Sequence, residues 1–264
     1  MKDRLIAAIA ALLIVLPLII YGGFWGTFAL VLVISVIATH EFLRMLLPKH
    51  KRLWWMFFVL YPCVYAALAL VQQESLLILG IASLILWMGS LFGSKDNEDG
   101  LDLVMKGTFG LLYISTLLSF FPKVRSIEPN GLAWIFLVLL ITWSADTGAY
   151  FAGRAFGRNK LFERVSPKKT IEGVMGGLLL SIVVSISFQN AYLETMEWYH
   201  ALALGALLCL LSVIGDLLES MVKRATGVKD SGNIMPGHGG IIDRLDSLLF
   251  TFPSAYIYYA IFIQ

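Results

Sequence analysis

Carboxylates and cations crowd the stretch Ser220–Asp246, SMVKRATGVKDSGNIMPGHGGIIDRLD, which lies between two hydrophobic runs. Lys223, Arg224, Lys229, Asp230, His238, Asp243, Arg244 and Asp246 all fall within it. Basic side chains suit phosphate, and grouped carboxylates suit a divalent cation. In an otherwise apolar chain, such a set implies magnesium-assisted chemistry on a nucleotide or a phospholipid head group.

The spacing sharpens this reading. Asp243 and Asp246 are three residues apart and on a helix would share a face, with Asp216 as a third carboxylate on the same side of the membrane. Magnesium needs one or two carboxylates and completes its shell with water and substrate phosphate. Arg244 is either a phosphate clamp or the counter-ion of the pair. Acidic residues also favour helix starts, so a solvated first turn is the plainer alternative. Pro236–Gly240 offers backbone N–H groups to an anion through Gly239 and Gly240, and His238 is either a phosphate or base partner or a structural turn residue. Lys223, Arg224 and Lys229 could neutralise a triphosphate; otherwise they snorkel to the interface.

A second polar stretch, Trp143–Gly177, begins near the end of a predicted span with Asp146, a costly residue there unless paired, protonated or metal-bound. Arg154, Arg158, Lys160, Arg164, Lys168 and Lys169 follow, against Glu163 and Glu172 alone. Charge bias explains the cations, but not Asp146. Nor does it explain the expected turn Ser166–Thr170, where Ser166 and Thr170 could cap a helix whose N-terminus favours phosphate beside Lys168 and Lys169.

The elements that must carry these residues are apolar. The chain has 264 residues, 58% hydrophobic and 14% charged, which excludes an ordinary soluble domain. The expectation is an all-α polytopic membrane protein with about nine spans. Leu5–Ala38 forms two of them, turning at Tyr21–Gly26. The others are Leu53–Val71, Leu76–Phe92, Gly107–Phe121, Gly131–Gly153, Val174–Phe188, Tyr199–Gly215 and Leu248–Ile263. Residues 1–130 supply N-terminal helices and 131–264 the C-terminal helices with the catalytic loops, as one membrane-embedded unit. With the N-terminus inside and the C-terminus outside, all but Lys123 and Arg125 of the 20 Lys and Arg residues face inward. Lys2 and Arg4 precede an uncleaved first helix in this reading. Cys63 and Cys209 lie within spans and imply neither disulfide nor zinc site. The acidic loop Gly93–Gly100 reads as a solvated turn. The loop 39–52, with His40, Glu41, Arg44, Lys49, His50, Lys51 and Arg52, reads as a basic anchor for anionic lipid heads. Glu41 and His40 could also reach the active site.

Ser220–Asp246 resembles the signature of phosphatidate cytidylyltransferases, the CDP-diacylglycerol synthases. The matching positions are Ser220, Lys223, Arg224, Lys229, Asp230, Gly232, Pro236, His238, Gly239, Gly240, Asp243, Arg244 and Asp246. Met235 stands where the family usually has Ile, Leu or Phe. Ser144–Tyr150 and Ser166–Thr170 are also similar to family segments. The likeness is close over about residues 140–250 and only general in the N-terminal half.

The resemblance implies that CTP and phosphatidic acid give CDP-diacylglycerol and pyrophosphate, the lipid phosphate attacking the α-phosphorus. No protein nucleophile is then needed, and positioning with charge neutralisation does the work. Asp216, Asp243 and Asp246 would hold Mg2+, with Asp146 near the same centre or on a second cation. Lys168, Lys169, Lys223 and Lys229 are phosphate partners in that picture, and Ser220 is carried over as close to the site. A CTP-dependent polyprenol kinase is the nearest rival, and a cation-coupled transporter the rival from another class. The expected partners are the two substrates and the bilayer, with no nucleic acid. The Gly173–Gly177 pair adds the expectation of a homodimer. Composition points to a bacterial inner membrane with the site facing the cytoplasm.

Overall fold

A computed structural model describes residues 13–48, 50–71, 73–232, 234 and 239–263. Helices dominate it, as the long uncharged runs require: a chain in lipid must satisfy its own backbone polar groups. Residues 13–21 are helical and lead into α1 (Gly23–Leu46), followed by α2 (Lys51–Leu70) and α3 (Ser75–Gly93). Then come α4 (Asn97–Arg125), α5 (Gly131–Phe156), α6 (Ile171–Tyr192) and α7 (Trp198–Ala225). A four-residue α8 (Ile242–Leu245) and α9 (Leu248–Phe262) complete the chain. Among the described residues, the seven helices α1–α7 are long and apolar enough to cross a membrane. They match seven of the expected spans, and α9, with 15 residues, occupies the position of the last.

The turn expected at Tyr21–Gly26 is tighter than a loop. Gly23 adopts φ 57°, a left-handed conformation that glycine alone takes without strain. The fold-back brings the Leu18 carbonyl so close to Gly26 that a Cβ there would stand 2.6 Å from its oxygen.

The chain divides into two compact units. The first comprises the described parts of Met1–Lys123 and Thr226–Asp243. Its core gathers Phe42, Phe57, Tyr61, Tyr65 and Ile114, all fully buried. The tyrosines keep their hydroxyls satisfied: Tyr61 donates to the Gly107 carbonyl at 2.8 Å and Tyr65 to that of Phe28 at 2.9 Å. Within α4, residues Leu111–Thr116 form a π-helical turn.

The second unit comprises Val124–Ala225 and the described part of Arg244–Gln264. Here α5 and α6 pack through small residues. A Cβ on Gly148 would sit 2.5 Å from the Gly176 carbonyl oxygen, and one on Gly177 would sit 2.7 Å from that of Ala145. Gly173 faces the Ala149 carbonyl in the same way. The Gly173–Gly177 pair, read from sequence as a contact between copies, is therefore occupied within the chain, because close backbone approach of α5 and α6 needs it. Hydroxyls add polar links between the apolar helices. Ser181 donates to the Ile141 carbonyl at 3.1 Å, Ser185 to that of Ala201 at 2.7 Å and Ser247 to that of Ser212 at 3.1 Å.

One local expectation is corrected. Ser166–Thr170 is not a turn but strand β2, paired antiparallel with β1 (Lys160–Phe162) in the register Phe162↔Ser166. Pro167 suits an edge strand of a two-stranded ribbon, where no second neighbour needs its missing N–H. The Lys160 ammonium donates to the Pro167 carbonyl at 2.6 Å. Thr170 does cap α6, its hydroxyl accepting from the Gly173 N–H at 3.2 Å; Ser166 does not.

Candidate active site

In the second unit, the C-terminal half of α5, β2, the start of α6 and the middle of α7 enclose a cavity of about 500 Å3. Its polar wall is formed by Asp146, Arg154, Lys168, Lys169 and Asp216. Four of these five were singled out in the sequence; Arg154 was attributed to charge bias. The lysines reach the cavity because β2 runs straight into the capped start of α6, so that Thr170 and Gly173 line it as well.

Asp216 is held from two sides. Lys169 Nζ lies 2.6 Å from its Oδ2, and the Ser220 hydroxyl, one helical turn on, donates to its Oδ1 at 3.2 Å. Ser220 thus acts as a prop for Asp216. Asp246 belongs to the same electrostatic group. Burial first, and then the negative charges of Asp216 and Asp146, push its carboxyl up to about 7, against the opposing pull of the Ser247 N–H and Lys169. The Ser247 N–H donates to Asp246 Oδ1 at 2.6 Å.

Three neighbouring carboxylates, Asp146, Asp216 and Asp246, face three cations, Arg154, Lys168 and Lys169. The carboxylates form an all-oxygen donor set, which fits a hard divalent cation. Among the described residues no group of three or more His, Cys, Asp or Glu side chains is placed to hold a metal ion by itself.

Asp243 is placed differently from the sequence expectation. Helix α8 ends at Leu245, and Asp246 follows it in a turn, so the two aspartates do not share a continuous helix face. Asp243 instead organises the loop of the first unit. Its Oδ2 accepts from the Ser231 N–H at 2.9 Å, the Ser231 hydroxyl at 2.9 Å and the Gly240 N–H at 2.7 Å. The Gly240 N–H, expected to face a substrate anion, thereby points to a protein carboxylate. Gly239 precedes it with φ 83°. A side chain at Gly239 would be strained by this conformation, and its Cβ would stand 2.6 Å from Asp243 Oδ2.

Beneath this loop lies Glu41, only 2% exposed. Its carboxylate accepts from the Ser231 hydroxyl at 3.1 Å, the Ile241 N–H at 3.0 Å and the Ile242 N–H at 3.1 Å. Gly232 and Gly240 press against it closely enough to leave no room for a Cβ. Glu41 was named from sequence only as a residue that could reach the site. The available signal was a lone acid in a basic stretch, with no carboxylate nearby to share its role.

The remaining residues are less gathered. Lys223 pairs with the buried Glu219 one turn earlier in α7. Arg224, Lys229 and Arg244 are exposed, and Ser166 is half-buried on β2. His238 lies outside the described residues.

The geometry thus offers a carboxylate-and-lysine cavity in a helical membrane protein and a glycine loop clamped by the buried Glu41 and the half-buried Asp243. Comparison with known proteins agrees. The profile of the Cytidylyltransferase family matches residues 2–262. The phosphatidate cytidylyltransferase of Bacillus subtilis (strain 168) is 34% identical, over 99% of this chain and 98% of its own. Those of Staphylococcus epidermidis (strain ATCC 12228 / FDA PCI 1200) and Staphylococcus haemolyticus (strain JCSC1435) are 37% and 35% identical, each over 96% of both chains. With the profile spanning almost every residue and the polar sites falling on its length, the chain belongs to the cytidylyltransferase family.

Proposed function

We propose that the protein joins CTP and phosphatidic acid to give CDP-diacylglycerol and pyrophosphate, a step of phospholipid synthesis. The observation that carries this reading is the meeting of Asp146 and Asp216 with Lys168, Lys169 and Arg154 in one cavity. The near full-length likeness to relatives named phosphatidate cytidylyltransferase supports it.

An oxygen of the lipid phosphate forms a bond to the α-phosphorus of CTP, and the bond from that phosphorus to the oxygen shared with the β-phosphate breaks, that oxygen leaving with pyrophosphate. The attacking oxygen is already anionic, so the protein need supply no nucleophile. Its task is to hold two anions together and to stabilise the charge that moves to the leaving group. Lys168, Lys169 and Arg154 neutralise phosphate oxygens from the cavity wall. Asp146, Asp216 and Asp246 are the residues that would hold Mg2+, which supplies charge neutralisation of the phosphates when bound. The Lys169–Asp216 pair keeps both side chains aimed into the cavity, and Ser220 fixes the rotamer of Asp216. In this reading Arg224, Lys229, Arg244 and His238 are candidate phosphate partners, and Asp243 and Glu41 hold the glycine loop of the first unit.

The charge distribution supports an orientation with the basic loops and this site on the cytoplasmic face of a bacterial inner membrane. A homodimer, expected from family resemblance, would use a surface other than the Gly173–Gly177 stripe.

The test is turnover on detergent-purified protein with cytidine-labelled CTP, phosphatidic acid and Mg2+. Label should enter extractable lipid with release of pyrophosphate, and EDTA should stop it. Transfer of the γ-phosphate to a polyprenol, or ion flux without nucleotide, would replace this reading by a kinase or a transporter.

A further inference from the structure

The basic stretch at the end of α1 is not used by the chemistry above. Between the end of α1 and the start of α2 lies a cavity of about 690 Å3, lined among others by His40, Arg44, Lys51, Trp54 and Trp55. Among the described residues, no carboxylate lines it. It shares no lining residue with the Asp146–Asp216 cavity.

The charges here are selectively unanswered. His50, beside Lys51 in sequence, pairs with Asp99 at 3.0 Å. Glu41, beside His40, is committed to Ser231, Ile241 and Ile242. Arg44 and Lys51, by contrast, have no carboxylate partner among the described residues. The amides of the first turn of α2 add positive potential, since its N-cap His50 supplies no side-chain cap.

The aromatic wall is packed ring on ring and sits where two span-length helices meet. Trp54 stacks on Phe58 with centroids 4.9 Å apart and meets the His40 ring edge-on at 5.5 Å. Trp55 is 63% exposed. Both α1 and α2 are long enough to span a bilayer, so their junction falls at head-group depth, where tryptophan is favoured. A guanidinium and an ammonium above tryptophans match a phosphate above glycerol and acyl chains.

We propose that this cavity binds the phosphate of an anionic glycerophospholipid, held by Arg44 and Lys51 with Trp54 and Trp55 against its glycerol and upper acyl carbons. His40 and Arg44 also line a second cavity with Asp230, Ser231 and Gly232 of the glycine loop. A lipid seated here therefore lies beside the segment that Glu41 and Asp243 hold.

The inference needs no turnover, so it is tested without CTP and stands apart from the proposed reaction. Full-length protein in mixed micelles is titrated with phosphatidylglycerol, phosphatidylcholine and inorganic phosphate, and adducts are counted by native mass spectrometry. Phosphatidylglycerol is the main probe because its phosphate is a diester and cannot act as the acceptor of the reaction. Arg44→Gln with Lys51→Gln should weaken its binding at least tenfold, while Lys95→Gln, an equal charge loss elsewhere, should change it less than twofold. Each single variant should show part of the loss, so a misfolded double variant does not decide the matter. The proposal is overturned by wild-type binding in all three Arg44 and Lys51 variants, by equal loss in Lys95→Gln, or by equal binding of phosphatidylcholine. Inorganic phosphate binding as tightly as the lipid would also overturn it, by making the site one for a free anion.

Discussion

Lys169 Nζ stands 2.6 Å from Asp216 Oδ2, joining the residue before the α6 cap to the middle of α7 across the cavity. The pair is partly solvated, so its worth to stability is small, about 0–1 kcal/mol. Its worth to catalysis should be larger, because removing one preorganised charge from a phosphate site costs about 10²–10³ in rate. Lys169→Gln is expected to lower kcat/KM for CTP by about that factor with little change in thermal unfolding. Equal losses of stability and activity would remove Lys169 from the site.

Asp246→Asn and Asp243→Asn should both abolish turnover, but for separable reasons. Asp246 belongs to the carboxylate group with Asp216 and Asp146, so its variant should fold normally and lose its response to Mg2+. Asp243 accepts three hydrogen bonds from Ser231 and Gly240 through one oxygen. Its variant should also lose about 1–3 kcal/mol of stability, read as a lower Tm in detergent. A stable, inactive Asp243→Asn protein would return Asp243 to the substrate or the metal.

Glu41→Ala would leave the Ser231 hydroxyl and the Ile241 and Ile242 amides without their acceptor in a buried place. Each unsatisfied group costs about 1–3 kcal/mol, so a steep fall in Tm is expected together with loss of activity. Glu41→Gln keeps one acceptor oxygen and should recover part of both. Gly240→Ala should resemble Glu41→Ala, because a methyl there meets the Ser231 hydroxyl and the Glu41 carboxylate.

The Asp246 carboxyl, raised to about 7, carries a pH dependence of defined sign. In the metal-free protein it holds a proton more tightly than in the unfolded chain, so its contribution favours folding at low pH and is lost as pH rises through 7. Asp246→Asn should therefore flatten metal-free stability between pH 4 and 7 and raise it, relative to wild type, above 7. Mg2+ must displace that proton, so its apparent Kd should rise as pH falls below 7. A Kd independent of pH from 5 to 8 would show that Asp246 does not take part.

The spans were legible because uncharged runs of sufficient length leave few alternatives, and seven of them reappear as helices α1–α7. The meeting of Asp146, Lys168, Lys169 and Asp216 was legible too, as costly charges at span ends have few reasons to exist. The hydrogen bonds that Asp243 accepts from Ser231 and Gly240 were not legible, because its spacing from Asp246 suggests only a shared face on a longer helix. Four residues of helix cannot carry an i, i+3 pair beyond their end. Ser166–Thr170 was read as a turn because its β pairing depends on a partner strand that a short polar segment does not announce. The Gly173–Gly177 motif shows that a glycine stripe fixes close approach without saying whether the neighbour is a second copy or the next helix. Glu41 was the hardest case, since its partners are 190 to 201 positions away.

That separation has a consequence for biogenesis. A ribosome must add 200 residues after Glu41 before it meets the amide of Ile241, and 201 before that of Ile242. Until then the N-terminal helices sit in the membrane with an acid that has no acceptor role to fill. A nascent chain halted, or cleaved, short of this loop would present that acid as an unsettled charge at the bilayer edge.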